Sequence, residues 1–462
     1  MCGVFGIRAP ERDVARVTYF GLFALQHRGQ ESAGIAVSDQ GRLTVLRDMG
    51  LVAQVFTEQN LSGLQGDVAI GHTRYSTTGS THWTNAQPIV QHGRARTVTL
   101  GHNGNLTNAA SLRDELAADE IRLSTSSDTE VIAALIANDP APLEDAVANA
   151  MSRLEGAYTV VALADGTLVG FRDPYGFRPL ALGDIGGDYV LASETCALDL
   201  VGAELEREIA PGELVAIDEG GLRSRQALPL ANGGALCLFE FIYLARPDTT
   251  LGGIEVHAVR VRMGERLATE APVEADLVMP VPDSGTPAAI GFARATGIPF
   301  SEGLIKNRYV GRTFIQPDQG LRDQGIKLKF NPLAEVAGKR MVVVDDSIVR
   351  GSTMRKIVAM LFEAGAQEVH VRVSSPPIVS PCFYGIDFAD EEQLVASDRT
   401  VEAVREHIGA TTLAYLSLEG AQESTTRPES EFCNACFTRR YPANVPAEGR
   451  RAKLRFEPSA AR

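Results

Sequence analysis

Val342-Val343-Val344-Asp345-Asp346-Ser347-Ile348-Val349-Arg350-Gly351-Ser352-Thr353 runs from a β-branched apolar stretch into two adjacent acids and then a small, hydroxyl-rich loop. Met341 to Val344 has the composition of a buried strand, Thr353 to Ala364 carries helical apolar spacing ended by Gly365, and Val369 to Val373 is the next strand. That order is a βαβ unit, so a parallel sheet is expected, with ligands at the C-terminal ends of its strands. The loop suits a ribose phosphate. Its N–H groups and the helix N-terminus can bind a 5′-phosphate, Gly351 permits close backbone approach, and the acids can hold hydroxyls and a divalent cation. A capped helix following a strand, with no ligand, would give the same pattern.

The chain upstream has a different grain. Thr159 to Ala164, Asp165-Gly166 and Thr167 to Phe171 read as a hairpin, and Asp67 to Gly71 and Thr97 to Gly101 as further strands. Helical stretches such as Thr129 to Ala137, behind Ser127-Asp128, are interspersed. An α+β fold of antiparallel sheets and packed helices is expected over 2–231, and an α/β domain with a mainly parallel sheet over 232–462, with the break at Ala231-Asn232-Gly233-Gly234. The 462 residues, 44% hydrophobic and 22% charged, are enough for two cores of roughly 200 residues each. The tail from Glu448 to Arg462, rich in Arg and Ala, is expected to fray.

A net charge of −14 argues against a general nucleic-acid binder, which needs a cationic surface. There is no basic leader and no apolar run of the ~20 residues that a membrane span requires, so a cytoplasmic protein is expected. In a reducing compartment the six cysteines point to catalytic, metal-binding or simply buried thiols rather than disulfides.

Cys2 follows the initiator Met1 and precedes Gly3. Removal of Met1 would give one residue both a thiol nucleophile and an α-amine to take its proton. Four segments accompany it: Gln26-His27-Arg28-Gly29-Gln30-Glu31-Ser32-Ala33-Gly34, Gly71-His72-Thr73-Arg74-Tyr75-Ser76, Gly101-His102-Asn103-Gly104-Asn105 and Ser126-Ser127-Asp128-Thr129-Glu130. Taken singly, Asn103-Gly104 reads as a turn, Arg74 as a surface charge and Asp128 as a helix cap. Together with Cys2, the set resembles the class II glutamine amidotransferase domain, an N-terminal-nucleophile hydrolase. The resemblance implies that Cys2 attacks the glutamine amide, that the Asn103 side chain and the Gly104 N–H hold the oxyanion, and that Arg74 and Asp128 pair with the glutamine α-carboxylate and α-amine. Relatives often carry a short propeptide before this cysteine; here Met1 alone precedes it.

The Val342–Thr353 string resembles the phosphoribosyl pyrophosphate (PRPP) signature of type I phosphoribosyltransferases. Ser352 stands where many relatives have Thr, which keeps the hydroxyl. That resemblance implies that Asp345 and Asp346 contact ribose hydroxyls and Mg²⁺, and that Ser347, Arg350, Gly351, Ser352 and Thr353 surround the 5′-phosphate. Ser284, in Pro282-Asp283-Ser284-Gly285, would join the acids at the metal, although the string alone is simply a turn. Between Lys306 and Lys329 lie six basic residues against Asp318 and Asp323. Such a run can be a solvated face. Lys306 to Ile315 resembles the mobile loop that closes over PRPP, so Lys306, Arg312 and Lys327 are expected to contact it.

Cys433-Asn434-Ala435-Cys436 is a tight pair, while Cys237 and Cys382 are distant in sequence. Four thiolates, if the fold brings them together, suit a [4Fe–4S] cluster or zinc. These positions match the cluster ligands of the iron–sulfur, Bacillus-type branch of the amidophosphoribosyltransferases. Cys196 is left over and reads as a small buried residue. Membership of that family would imply transfer of glutamine-derived ammonia to C1 of PRPP, as the first step of purine synthesis, in a homotetramer inhibited by purine nucleotides. Two alternatives stand beside it: another class II amidotransferase, such as one making glucosamine 6-phosphate, and a nucleotide-sensing binding protein with a spent site. The first would carry sugar-isomerase domains in place of Asp345-Asp346, and glutaminase activity would exclude the second.

Overall fold

The structure, a computed structural model, describes residues 1–76, 79–307, 329–388 and 391–445. In the first half, two antiparallel sheets stack face to face. One has seven strands, in the order Glu204–Glu208, Ala181–Asp184, Tyr189–Ala192, Gly3–Arg8, Val68–Arg74, Ser32–Asp39, Arg42–Met49. The other has six: Gly221–Gln226, Glu213–Asp218, Thr167–Arg172, Gly156–Ala164, Thr97–Leu106, Ile89–His92. Val4, Ile70, Val161, Leu168 and Val215 interdigitate between them, as expected of inward-facing positions on stacked sheets.

Each outer face is covered by helices. Val14–Ala24 and Thr195–Val201 pack on the seven-stranded sheet through Leu22, Ala197 and Leu198. Ala109–Ala118, Thr129–Asn138 and Leu143–Arg153 pack on the other through Leu112, Ile132 and Val147. The predicted hairpin is present: Gly156–Ala164 pairs with Thr167–Arg172, and Asp165 (φ +50°) and Gly166 (φ +73°) supply the two positive-φ positions that the tight turn needs.

The second half has a four-stranded parallel sheet, in the order Leu277–Pro280, Arg340–Asp345, Glu368–Val373, Thr412–Tyr415. Side chains alternate between its faces. Val278, Val342 and Val344 meet the helices Val256–Glu270 and Thr286–Thr296 on one side. Met279, Met341 and Val343 meet Ser352–Glu363 and Val401–Ile408 on the other. Burial on both faces explains the continuous Val run. The strand and helix flanking Asp345 and Gly351 lie within one residue of their predicted bounds.

The halves are joined through charge as well as chain. Arg28, Arg178, Glu194 and Glu240 have fully buried side chains. Arg28 Nη2 donates to Glu240 Oε2 at 2.7 Å, Arg178 Nη1 donates to Glu240 Oε1 at 3.1 Å, and Arg28 Nε donates to Glu194. Thr249 Oγ1 and the Arg246 N–H complete Glu194 at 2.7 and 2.9 Å. Among the described residues no helix is long and apolar enough to cross a membrane.

Candidate functional site

Cys2 lies at the start of the strand Gly3–Arg8, in the middle of the seven-stranded sheet, and is 7% exposed. Its N–H donates to Asn103 Oδ1 at 3.2 Å, and its Sγ donates to Tyr75 O at 3.5 Å. Burial pushes the thiol up, offset in part by the neighbouring α-ammonium. Burial also brings the Met1 α-amine down to about 5.

Asn103 and Gly104 are not a turn. They lie inside Thr97–Leu106, opposite Thr159 and Tyr158, because that strand continues past the apolar run that the sequence displays. Asn103 is fully buried, and its Nδ2 has no hydrogen-bond partner among the described residues. A buried amide donor without an acceptor costs free energy unless something fills the gap. At Gly104 a Cβ would fall 2.0 Å from Ala157 O and 2.7 Å from His102 Nε2, so no side chain fits.

Arg74 closes one flank. It is 2% exposed, donates from Nη1 to Ser80 O at 3.0 Å and stands 3.8 Å from Glu31. Asn85 Nδ2 shares Ser80 O and also reaches Ser126 Oγ at 2.8 Å, which links Arg74 to the Ser126–Asp128 segment. Asp128 Oδ2 accepts the Leu106 N–H at 2.9 Å and lies 3.9 Å from His102 Nδ1. The fold therefore brings Cys2, Arg74, Asn103, Gly104 and Asp128 into one neighbourhood. Glu31, which accepts from Ser76 N and Oγ at 2.9 and 3.1 Å, and Asn85 belong there too. Glu31 was visible within the Gln26–Gly34 segment; nothing in the sequence marked Asn85.

The second constellation sits at the C-terminal end of Arg340–Asp345. Asp346 N–H donates to Asp345 Oδ1 at 2.9 Å, Ser347 Oγ donates to Asp346 Oδ2 at 2.6 Å, and Ser284 also hydrogen-bonds to Asp346. Burial raises both carboxyls above their usual range, and for Asp345 the adjacent Asp346 adds to it. Gly351, at φ +75°, turns the loop into the helix Ser352–Glu363, a left-handed position that favours glycine. Arg350 is exposed, and Ser347, Ser352 and Thr353 line the loop and the first turn. Lys306 Nζ donates to Asp283 Oδ2 at 2.5 Å, beside Ser284. Arg312 and Lys327 lie outside the described residues. Arg260, which the sequence did not mark, is 4% exposed; its charge favours the Asp346 carboxylate.

Four cysteines converge from three parts of the chain. Cys237 and Cys433 pair in register across a two-residue parallel ladder, Cys436 opens the next turn, and Cys382 arrives from the segment after the third parallel strand. All four line one enclosed cavity with Phe177, Arg178, Tyr384 and Tyr441. Burial raises the Cys433 and Cys436 thiols and takes Cys237 to about 11. Among the described residues no three His, Cys, Asp or Glu side chains are closed to metal-ligating geometry. Cys196 is 3% exposed, with its thiol 3.6 Å from Glu194 Oε2, so its surroundings are buried but not apolar.

Comparison with known proteins follows the same division. A glutamine amidotransferase domain matches residues 72–200 and a phosphoribosyl transferase domain matches residues 255–375. The amidophosphoribosyltransferase of Mycobacterium tuberculosis (strain ATCC 25618 / H37Rv) is 54% identical over 97% of this chain and 87% of its own length. Glutamine phosphoribosylpyrophosphate amidotransferase from B. subtilis, solved in complex with ADP and GMP, is 47% identical, covers 97% of this chain and 98% of its own, and superposes with a TM-score of 0.90. A solved structure described as the allosteric regulatory enzyme of purine biosynthesis is 46% identical over the whole of both chains, with a TM-score of 0.93. Both domain types occur in the expected order, and more than half of the residues are shared with the mycobacterial enzyme along nearly the entire length; the chain belongs to the amidophosphoribosyltransferase family.

Proposed function

We propose that this chain takes ammonia from glutamine and places it on C1 of PRPP, giving 5-phosphoribosylamine, glutamate and pyrophosphate, as the first step of purine synthesis. The observation that carries the glutaminase half is the buried Asn103 Nδ2, without a hydrogen-bond partner among the described residues, one residue from Gly104 and on the side chain whose Oδ1 meets Cys2 N. A preorganised donor of this kind stabilises a developing oxyanion by about 3 to 4 kcal/mol.

With Met1 removed, the Cys2 α-amine accepts the thiol proton. An α-amine, whose ordinary value lies at about 7.7 to 8.0, can take that proton near neutral pH without a partner histidine. The Cys2 sulfur attacks the amide carbon, Asn103 Nδ2 and Gly104 N–H receive the oxyanion, and collapse returns the proton to the leaving ammonia. Water then hydrolyses the thioester to glutamate. Arg74 and Asp128 hold the two ends of the amino acid. At the second site ammonia attacks C1 as the C1–O bond to pyrophosphate breaks. Ammonia is nucleophilic only unprotonated, so a water-poor path between the sites accompanies this reading.

Two carboxylates and one hydroxyl, Asp345, Asp346 and Ser284, form a donor set that fits Mg²⁺, which keeps several waters and shares substrate oxygens. Bound there, Mg²⁺ would neutralise charge on the pyrophosphate leaving group. Lys306, Arg312 and Lys327 would contact the same group. The four thiols around one cavity fit a [4Fe–4S] cluster held by Cys237, Cys382, Cys433 and Cys436, which would fasten the C-terminal segment to the body. Iron and sulfide assay of anaerobically purified protein separates this from zinc. Purine nucleotide binding, a homotetramer and a cytoplasmic location complete the proposal; calorimetry with AMP and GMP and light scattering test the first two.

The deciding experiment is PRPP-dependent pyrophosphate release with glutamine or ammonium, in wild type and Cys2→Ala. The mutant is expected to lose only the glutamine reaction. No release from wild type with either donor, in the presence of Mg²⁺ and with metal content intact, would overturn the reading.

A further inference from the structure

Three consecutive residues of the second domain, Phe383, Tyr384 and Gly385, are each held by the first. Asn105 Nδ2 donates to Phe383 O at 2.9 Å. Arg178 donates to Tyr384 O from Nε at 3.2 Å and from Nη2 at 2.8 Å, and the Tyr384 ring stacks on Phe177 with centroids 4.3 Å apart. Gly385, at φ +101°, backs directly onto Gly104: a Cβ at Gly385 would lie 3.0 Å from Gly104 Cα and from its carbonyl carbon.

Gly104 is closely packed within its own sheet too, where a Cβ would fall 2.0 Å from Ala157 O. With a glycine in each segment the two backbones approach so closely that a methyl group on Gly385 would press on Gly104. An oxyanion donor stabilises a transition state only if its direction is set before the charge develops. A donor on a strand needs support from behind to hold it to the few tenths of an ångström that matter.

We infer that Gly385 is a positioning residue for the oxyanion-binding backbone at Gly104, acting through the Phe383–Gly385 turn. The inference rests on the proposed role of Asn103 and Gly104. It gives the second domain a part in the first half-reaction that no residue of the glutamine pocket itself reveals. It also explains why Asn105, one residue past the oxyanion glycine, spends its side-chain amide on a carbonyl 278 residues away in sequence.

The test is steady-state kinetics of Gly385→Ala and Asn105→Ala, each with glutamine and with ammonium as donor. Gly385→Ala adds a methyl group where Gly104 stands; Asn105→Ala removes a tie and adds nothing, so it stands if the first variant folds poorly. For Gly385→Ala the glutamine kcat is expected to fall by about tenfold or more, consistent with partial loss of a donor whose full removal costs about 10² to 10³. KM for glutamine, set by Arg74 and Asp128, stays near the wild-type value, and the ammonium-dependent rate is unchanged. Asn105→Ala moves the same parameter in the same direction, by less. Wild-type glutamine kcat in both folded variants overturns the inference, as does a parallel fall of the glutamine and ammonium reactions. A wild type that releases pyrophosphate with ammonium but not with glutamine sinks the glutaminase reading first, and this inference with it.

Discussion

Asn103 meets Cys2 with one atom of its amide and not the other: Oδ1 accepts the Cys2 N–H at 3.2 Å, while the buried Nδ2 has no partner among the described residues. Replacement by Leu fills the space and removes the donor. Asn103→Leu is expected to lower the glutamine-dependent kcat by about 10² to 10³ and to leave the ammonium-dependent rate within about twofold. Equal loss with both donors, measured as pyrophosphate release, would mean that Asn103 serves the fold rather than the oxyanion.

Asp346 makes the opposite prediction. It accepts from Ser347 Oγ and Ser284 at the end of the central parallel strand, far along the chain from Cys2. Asp346→Asn is expected to abolish pyrophosphate release with both donors, whereas Ser284→Ala should raise the Mg²⁺ concentration for half-maximal rate with little change at saturating metal. Hydrolysis of glutamine to glutamate should survive in each. Retained ammonium-dependent activity in Asp346→Asn would remove that residue from the PRPP site.

Glu240 joins Arg28 to Arg178 inside the protein, with all three side chains fully buried. Glu240→Gln leaves the buried Arg178 guanidinium facing a neutral amide and Arg28 with Glu194 as its remaining carboxylate, and breaking a buried pair in this way costs about 3 to 5 kcal/mol. The thermal midpoint, followed by circular dichroism, is expected to fall by several degrees. An unchanged midpoint would show that water or a neighbouring group replaces the lost charge.

The legible parts of the molecule are those whose signal is local. Asp345 and Gly351 announce their strand end and helix start through a Val run and a hydroxyl-rich loop, and Asp165-Gly166 announces its hairpin. Cys2, Arg74, Asn103 and Asp128 carry weight as an ordered set, though Asn103-Gly104 alone reads as a turn and is a strand. The rest depends on contacts that no short stretch encodes. Glu240 is a lone acid within Leu238-Phe239-Glu240-Phe241-Ile242, a hint that it would be buried with a partner, but nothing there names Arg28 or Arg178. Gly385 against Gly104 gives no signal at all, since both are simply glycines until the fold brings them together.

His72 is fully buried beneath the Asn103 strand; its Nε2–H donates to His102 O at 3.1 Å, and its Nδ1 has no hydrogen-bond partner among the described residues. Burial brings its imidazole down to about 3. In the unfolded chain it returns to an ordinary value of about 6.5. Between those values the unfolded chain binds more protons than the folded one, so stability rises with pH across that window. The contribution is whole above about pH 6.5 and is lost progressively as pH falls toward 3, with about 2 kcal/mol gone between pH 7 and 5. His72→Gln can keep a donor for His102 O without a titrating ring. Denaturant unfolding of both proteins at pH 7 and pH 5 should therefore show the wild type losing about 2 kcal/mol more than the variant. Equal losses would mean that His72 takes up its proton in the folded protein, and that the pocket behind Asn103 admits charge.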